Sequence, residues 1–235
     1  MKFDFKRYTL STIIVLVIFL FNWYMQNHNN IYSQKEEILL MMNGSLQGFG
    51  SIRSIAIYTL MFLLFMNSII PKERSTYIVR SNRSKLFNQR IGNILLTSAI
   101  FSTCFHIVNL LLTVLFIDNS ILAANDFYLI TVLNWVLMTV FYFWIGICTK
   151  LIEDKLNSAN IAVILTFIII ALSYFLDFSF WVPISDMRLY EILLLSDWTF
   201  VSVLILWLKQ LGISLIFYLI GRPVFFEKDF ILNEK

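Results

Sequence analysis

Six stretches of nearly continuous apolar residues punctuate the chain, at about 8–25, 54–71, 92–117, 128–149, 160–176 and 200–221, with polar segments between them. Each approaches the roughly 20 residues that an α-helix needs to cross a bilayer core. None alternates apolar and polar positions over ten residues as the strands of a membrane barrel do. The pattern predicts an all-α integral membrane protein, a single transmembrane domain over 1–235 with six transmembrane helices. The first run follows Lys2, Lys6 and Arg7 in the manner of a secretory signal. Its downstream flank, from Phe21 to Gln26, is bulky and holds no small-x-small cleavage site, so an uncleaved first span is expected. Pro71, Pro183 and Pro223 all fall at or beyond the ends of the runs, where they break no helical ladder.

Composition agrees with the pattern. The 235 residues are 59% hydrophobic and only 14% charged, against about 45–50% and 25% in an ordinary soluble domain. Water-soluble globular structure is excluded, and disorder too, since it needs low hydrophobicity and high charge. Little chain remains outside the runs, so no soluble catalytic module fits.

The net charge of +3 gains meaning once it is sorted by location. Fourteen basic residues lie in the N-terminus, the 72–90 and 150–155 loops and the tail from Arg222. On the other side are only Lys35, Arg53 and Arg188, with eight acids. The positive-inside rule therefore puts both termini and the 72–90 loop in the cytoplasm. Of the outer loops, 26–52 is polar, and its Gly44–Gly48 GxxxG spacing lies outside an apolar 20-mer, where the dimerisation reading loses its basis. Segment 177–199 mixes apolar and acidic residues and contains Trp181 and Trp198. Tryptophan prefers the membrane interface, so a short re-entrant or interfacial helix is expected before the last span.

Candidate chemistry is sparse. Gradient-driven transporters place carboxylates near the membrane midplane, and no Asp or Glu lies inside any of the six runs. There is no GxSxG, no paired aspartate, no HExxH or CxxC spacing, and no glycine followed by lysine as in a phosphate-binding loop. Catalytic residues are not expected, nor is a metal site or a cofactor held by this chain. Cys104 and Cys148 sit on oppositely directed runs, at depths that differ by roughly 15–20 Å, too far for a disulfide. Among the polar residues inside the runs, His106, Lys209, Gln210, Asn67 and Asn134 call for weighing. The two asparagines read as glue between helices, while His106, Lys209 and Gln210 are candidates for a translocation path or for interhelical pairing. Lys209 either snorkels to the surface or faces a cavity or a partner subunit.

The 72–90 loop is the most informative polar stretch. Tyr77-Ile78-Val79 and Leu86-Phe87 are apolar groups among Lys72, Arg74, Arg80, Arg83, Lys85 and Arg90. They form no single helical stripe, and two short pieces with a turn at Ser81–Ser84 fit better, Ser84 capping the following helix. Such a knuckle suits docking of a cytoplasmic protein as well as anchoring to anionic lipid.

Six spans with both ends inside, this basic loop and a re-entrant-like segment before the last span resemble the ABC-2-type transporter permeases. More closely, Tyr77-Ile78-Val79-Arg80…Arg83-Ser84 running into the apolar span at Ile91 resembles small Gram-positive permeases of bacteriocin or antimicrobial-peptide export and immunity systems. The architectural likeness covers the whole chain, the motif-level likeness about 70–118. It departs from that family in having only seven residues before the first span and a long outer loop at 26–52. The resemblance implies a non-catalytic permease subunit in a low-GC Gram-positive cell membrane. It would pair with a second permease copy and with separate ABC ATPase subunits that bind ATP and Mg. Glu73, Tyr77, Ile78, Arg80, Arg83 and Phe87 would couple to the ATPase, and an amphipathic peptide or other hydrophobic cargo would be exported. No nucleic acid is implied. Competing classes are a membrane-embedded immunity or sensor protein without transport, the substrate-binding subunit of a vitamin importer, and a membrane enzyme.

Overall fold

The computed structural model describes residues 5–33, 52–70, 82–176, 181–189, 193 and 198–228. Their regular elements are all helical: α1 (Phe5–Ser33), α2 (Ile52–Ile69), α3 (Arg83–Phe116), α4 (Asn119–Ala124), α5 (Phe127–Leu156), α6 (Ala159–Leu176) and α7 (Phe200–Glu227), with a 3₁₀ turn at Ser185–Arg188. Four helices, α1, α3, α5 and α7, are long and apolar enough to cross a membrane, while the apolar parts of α2 and α6 are shorter. The chain is thus an all-α protein with the makings of a multi-pass membrane protein. The Gly44–Gly48 stretch and the loop positions Glu73, Tyr77, Ile78 and Arg80 lie outside the described residues.

The helices extend past their apolar runs at both kinds of end. α1 continues through His28 to Ser33, beyond the apolar run that ends near residue 25. α3 starts at Arg83, so Leu86, Phe87 and Arg90 belong to its first turns rather than to a separate short piece. Its cap is Asn82, whose side-chain oxygen accepts from the Ser84 backbone N–H at 3.0 Å. The expected cap at Ser84 is therefore displaced by two residues. Asn is as good a cap as Ser, and here it stands in the extended conformation a cap requires. α7 runs through Pro223 to Glu227. Pro223 deprives the Leu219 carbonyl of its helical donor, and Phe225, fully buried behind it, supplies packing that keeps the helix going.

α5 is the hub. It packs against α7, α3, α6, α4, α2 and the 3₁₀ turn, while α1 closes on α3 and α2, and α2 on α6. α7 touches little besides α5, and most of its Leu, Ile and Val side chains face outward. Gly146 permits the tightest approach: a Cβ there would come 2.4 Å from Ile94 Cγ2 and 3.1 Å from Met66 Sδ. The centre is aromatic. Phe19, Tyr58, Phe62, Phe101, Phe105 and Tyr142, from four helices, pack tilted or edge to face with centroids 4.6–5.7 Å apart. Lipid leaves no hydrophobic drive between helices, so such close packing holds the bundle together. The phenylalanines largely serve this interior, and the outward face is mostly aliphatic.

Candidate functional site

Three polar clusters interrupt the apolar bundle, and each contains a side chain that the sequence singles out.

The first lies where α3 begins and α5 and α7 end. Asp154, on the last turns of α5, is held from two sides. The Arg90 guanidinium of α3 grips both its carboxylate oxygens, and Lys228, just past α7, donates to Oδ1 at 2.8 Å. The Asp154 side chain is only 2% exposed, so the ion triad is largely withdrawn from water. Arg90 also lies 4.5 Å over the Phe225 ring. Phe87 packs on Phe225 and Tyr218 at 5.5 and 5.4 Å, and Arg83 donates to the Phe226 carbonyl oxygen. Lys150 and Glu153 pair alongside at 2.7 Å. Arg83 and Phe87 are thus joined to the ends of α5 and α7, Phe87 being buried rather than presented outward.

The second cluster sits on α7 ten residues from Phe200, which at 1.5 Å per residue is roughly 15 Å along the helix. Gln210 is fully buried. Its Oε1 accepts from Trp144 Nε1 of α5 at 2.8 Å. Its Nε2 lies 2.8 Å from both the Pro183 carbonyl oxygen and Asp186 Oδ2. Asp186 Oδ1 accepts from Trp181 Nε1 at 3.0 Å. The segment before the last helix therefore dips to the level of Gln210 and carries a carboxylate that is 3% exposed. A tally by apolar run misses this acid, because Asp186 lies outside every run yet is inserted into the bundle. Lys209 points the other way. It is exposed on the outer face of α7, its ammonium 5.0 Å from the Trp181 ring centre.

The third cluster joins α1, α3 and α5. His106 Nδ1 lies 2.8 Å from the Ser102 carbonyl and Nε2 3.0 Å from Asn134 Nδ2. One arrangement satisfies both contacts: Asn134 donates to Nε2, and a neutral ring donates from Nδ1–H. One turn along α3, Asn109 Oδ1 accepts from Trp23 Nε1 at 3.2 Å. His106, Asn109 and Asn134 are all buried. Both cysteines are free and buried. Among the described residues no three His, Cys, Asp or Glu side chains converge as a metal site requires.

Sequence reasoning missed Asp154, Lys228, Phe225, Asp186, Trp144 and Trp23. Signals existed for two of them: Glu153-Asp154 are acids on the basic side, opposite the Arg-rich stretch, and Asp186 follows Trp181 by five residues in a mixed segment.

No protein-family model, curated protein or solved structure matches the chain.

Proposed function

We propose that the chain is the membrane permease subunit of an ATP-driven exporter of amphipathic peptide or other hydrophobic cargo. In this reading it crosses a bacterial cell membrane six times with both termini in the cytoplasm, α2 and α6 completing the set. Two copies, or two related permeases, pair in the membrane. ATP and Mg are bound by separate ABC ATPase subunits that dock on the 72–90 region, and this chain carries no catalytic group.

The observation that supports the reading best is the ion triad at the basic end. A docking loop drives a bundle only if its movement reaches the spans. The helix that follows the loop is anchored through Arg83, Phe87 and Arg90 to the ends of α5 and α7. A push on the loop is then a push on the hub helix, and the bundle moves as a body. The segment pinned at Gln210 gives the opposite end a second rigid attachment.

The test is co-purification from native membranes in mild detergent, followed by transport-linked ATP turnover. An ATPase that comes with the wild-type protein, and comes less when Arg80 and Glu73 are charge-reversed, supports the exporter. A protein that purifies without any ATPase, from native membranes and after reconstitution, overturns it in favour of an immunity or sensor protein with no transport of its own.

A further inference from the structure

The cluster around His106 extends along a line. Ser98, Ser102, His106, Asn109 and Thr113 recur at intervals of three or four residues, the spacing of one helix face, and every one is buried. From Ser98 to Thr113 the stripe runs roughly 22 Å at the helical rise. Facing helices add Asn134 from α5 and Trp23 from α1 through direct hydrogen bonds. Asn27, one turn beyond Trp23, is buried and donates to the Trp23 carbonyl at 2.9 Å.

This stripe is not satisfied by its own members. Ser102 Oγ, Asn109 Nδ2, Thr113 Oγ1, Asn134 Oδ1 and Asn27 Oδ1 are buried and make no hydrogen bond among the described residues. Asn109 Nδ2 is a donor, Asn134 and Asn27 offer acceptors, and the two hydroxyls serve as either. Leaving such groups unpaired in a dry interior is costly, and hydrocarbon offers them nothing. Buried donors and acceptors mixed along one helix face and its neighbours are the partners that water molecules need.

Of the three helices around the stripe, α1 is the least enclosed: it packs chiefly on α3 and α2, and only 17% of its apolar stretch is buried, against 44% for α3 and 67% for α5. We propose that the stripe between α1, α3 and α5 is a water-binding cleft. It admits water from the end where α1 finishes and α5 begins, down to His106 and Ser102, when α1 moves against α3. Its occupant is water held by neutral hydrogen bonds, and the cleft stands apart from the exporter reading because it lies within one chain and needs no ATPase.

Radiolytic hydroxyl-radical labelling tests it, since the probe is generated from water where water sits. The full chain in lipid nanodiscs, without ATPase or ATP, is irradiated and its side-chain modification mapped. His106 and Trp23 should be modified. Met66, equally buried but on α2, where it packs against Gly146 and not against the stripe, should be spared. After correction for intrinsic reactivity, His106 should exceed Met66 by about tenfold or more, as bound water against dry packing. In Asn134→Leu with Asn109→Leu, which removes donors and acceptors together, labelling of His106 should fall toward that of Met66. His106 labelled no faster than Met66 in the wild-type protein overturns the proposal, whether or not the double variant folds. Undiminished His106 labelling in a folded double variant overturns the assignment of Asn109 and Asn134 as water ligands.

Discussion

At the residue scale, the closest approach in the bundle rests on one missing methyl. Gly146 faces Ile94 and Met66 across a gap that a Cβ would overfill, and both neighbours are fully or nearly buried. Gly146→Ala should therefore cost about 1–3 kcal/mol by overpacking, seen as a lower midpoint in thermal unfolding followed by size-exclusion fluorescence. In an Ile94→Ala background, which lacks the facing Cγ2, the same substitution should cost less. Equal midpoints for Gly146→Ala and wild type would show that α5 and α3 are not so close. Lys209 is a different case, because its side chain leaves the bundle and lies against Trp181. Lys209→Leu removes a cation–π contact of about 0.5–2 kcal/mol together with a burial cost of a few kcal/mol on insertion scales. Insertion, read by glycosylation mapping, should be equal or improved, and the melting midpoint should move little. A variant that inserts normally but loses its oligomeric state would show that the lysine meets a second subunit. Both residues stand out in the sequence for type alone; what each touches depends on helices far along the chain.

Between residue and molecule stand the helices, and here the sequence was most readable. A membrane helix is signalled by composition over some 20 residues, so all six apolar runs fall on helices. Their ends were less readable, because ends are decided by caps and by packing. Asn82 took the cap expected at Ser84, and Phe225 carried α7 past Pro223. The segment before α7 was legible as unusual from its tryptophans, yet its depth was not, since a single glutamine 24 residues from Asp186 holds it. That pin gives a prediction. Gln210→Leu leaves the Asp186 carboxylate and the Trp144 indole N–H each short of one partner, a loss of about 1–3 kcal/mol. The segment should then rise from the bundle. A cysteine at Ser185, in a background lacking Cys104 and Cys148, should react faster with a membrane-impermeant thiol reagent when Gln210 is replaced. An unchanged rate would mean that the 3₁₀ turn is held by its other contacts.

For the whole molecule, the question is whether the three helix ends at the basic side move together. Asp154 is the joint: it meets α3 through Arg90 and the chain just past α7 through Lys228. Those partners lie 64 and 74 residues away in sequence, which is why no local pattern announced them. Removing one member of a buried ion cluster leaves charge without compensation, a cost of about 3–5 kcal/mol where the site is dry; exposure of Lys228 at 11% lowers it here. Asp154→Asn keeps the shape and the acceptor oxygen but not the charge. In the exporter reading, the ATPase docks on the outer part of the 72–90 region, which Asp154 does not build. Asp154→Asn should therefore retain the ATPase on purification while losing transport-linked ATP turnover, because the push is no longer passed from α3 to α5 and α7. On the same exporter reading, Tyr77→Ala with Ile78→Ala should also retain the ATPase and lose coupling, their proposed role being to pass force at the contact and not to hold it. Charge reversal at Arg80 would instead weaken association and make it salt-sensitive. A folded Asp154→Asn protein that couples as well as wild type would reduce the ion triad to a staple between helix ends, and the drive would have to reach the spans by another route.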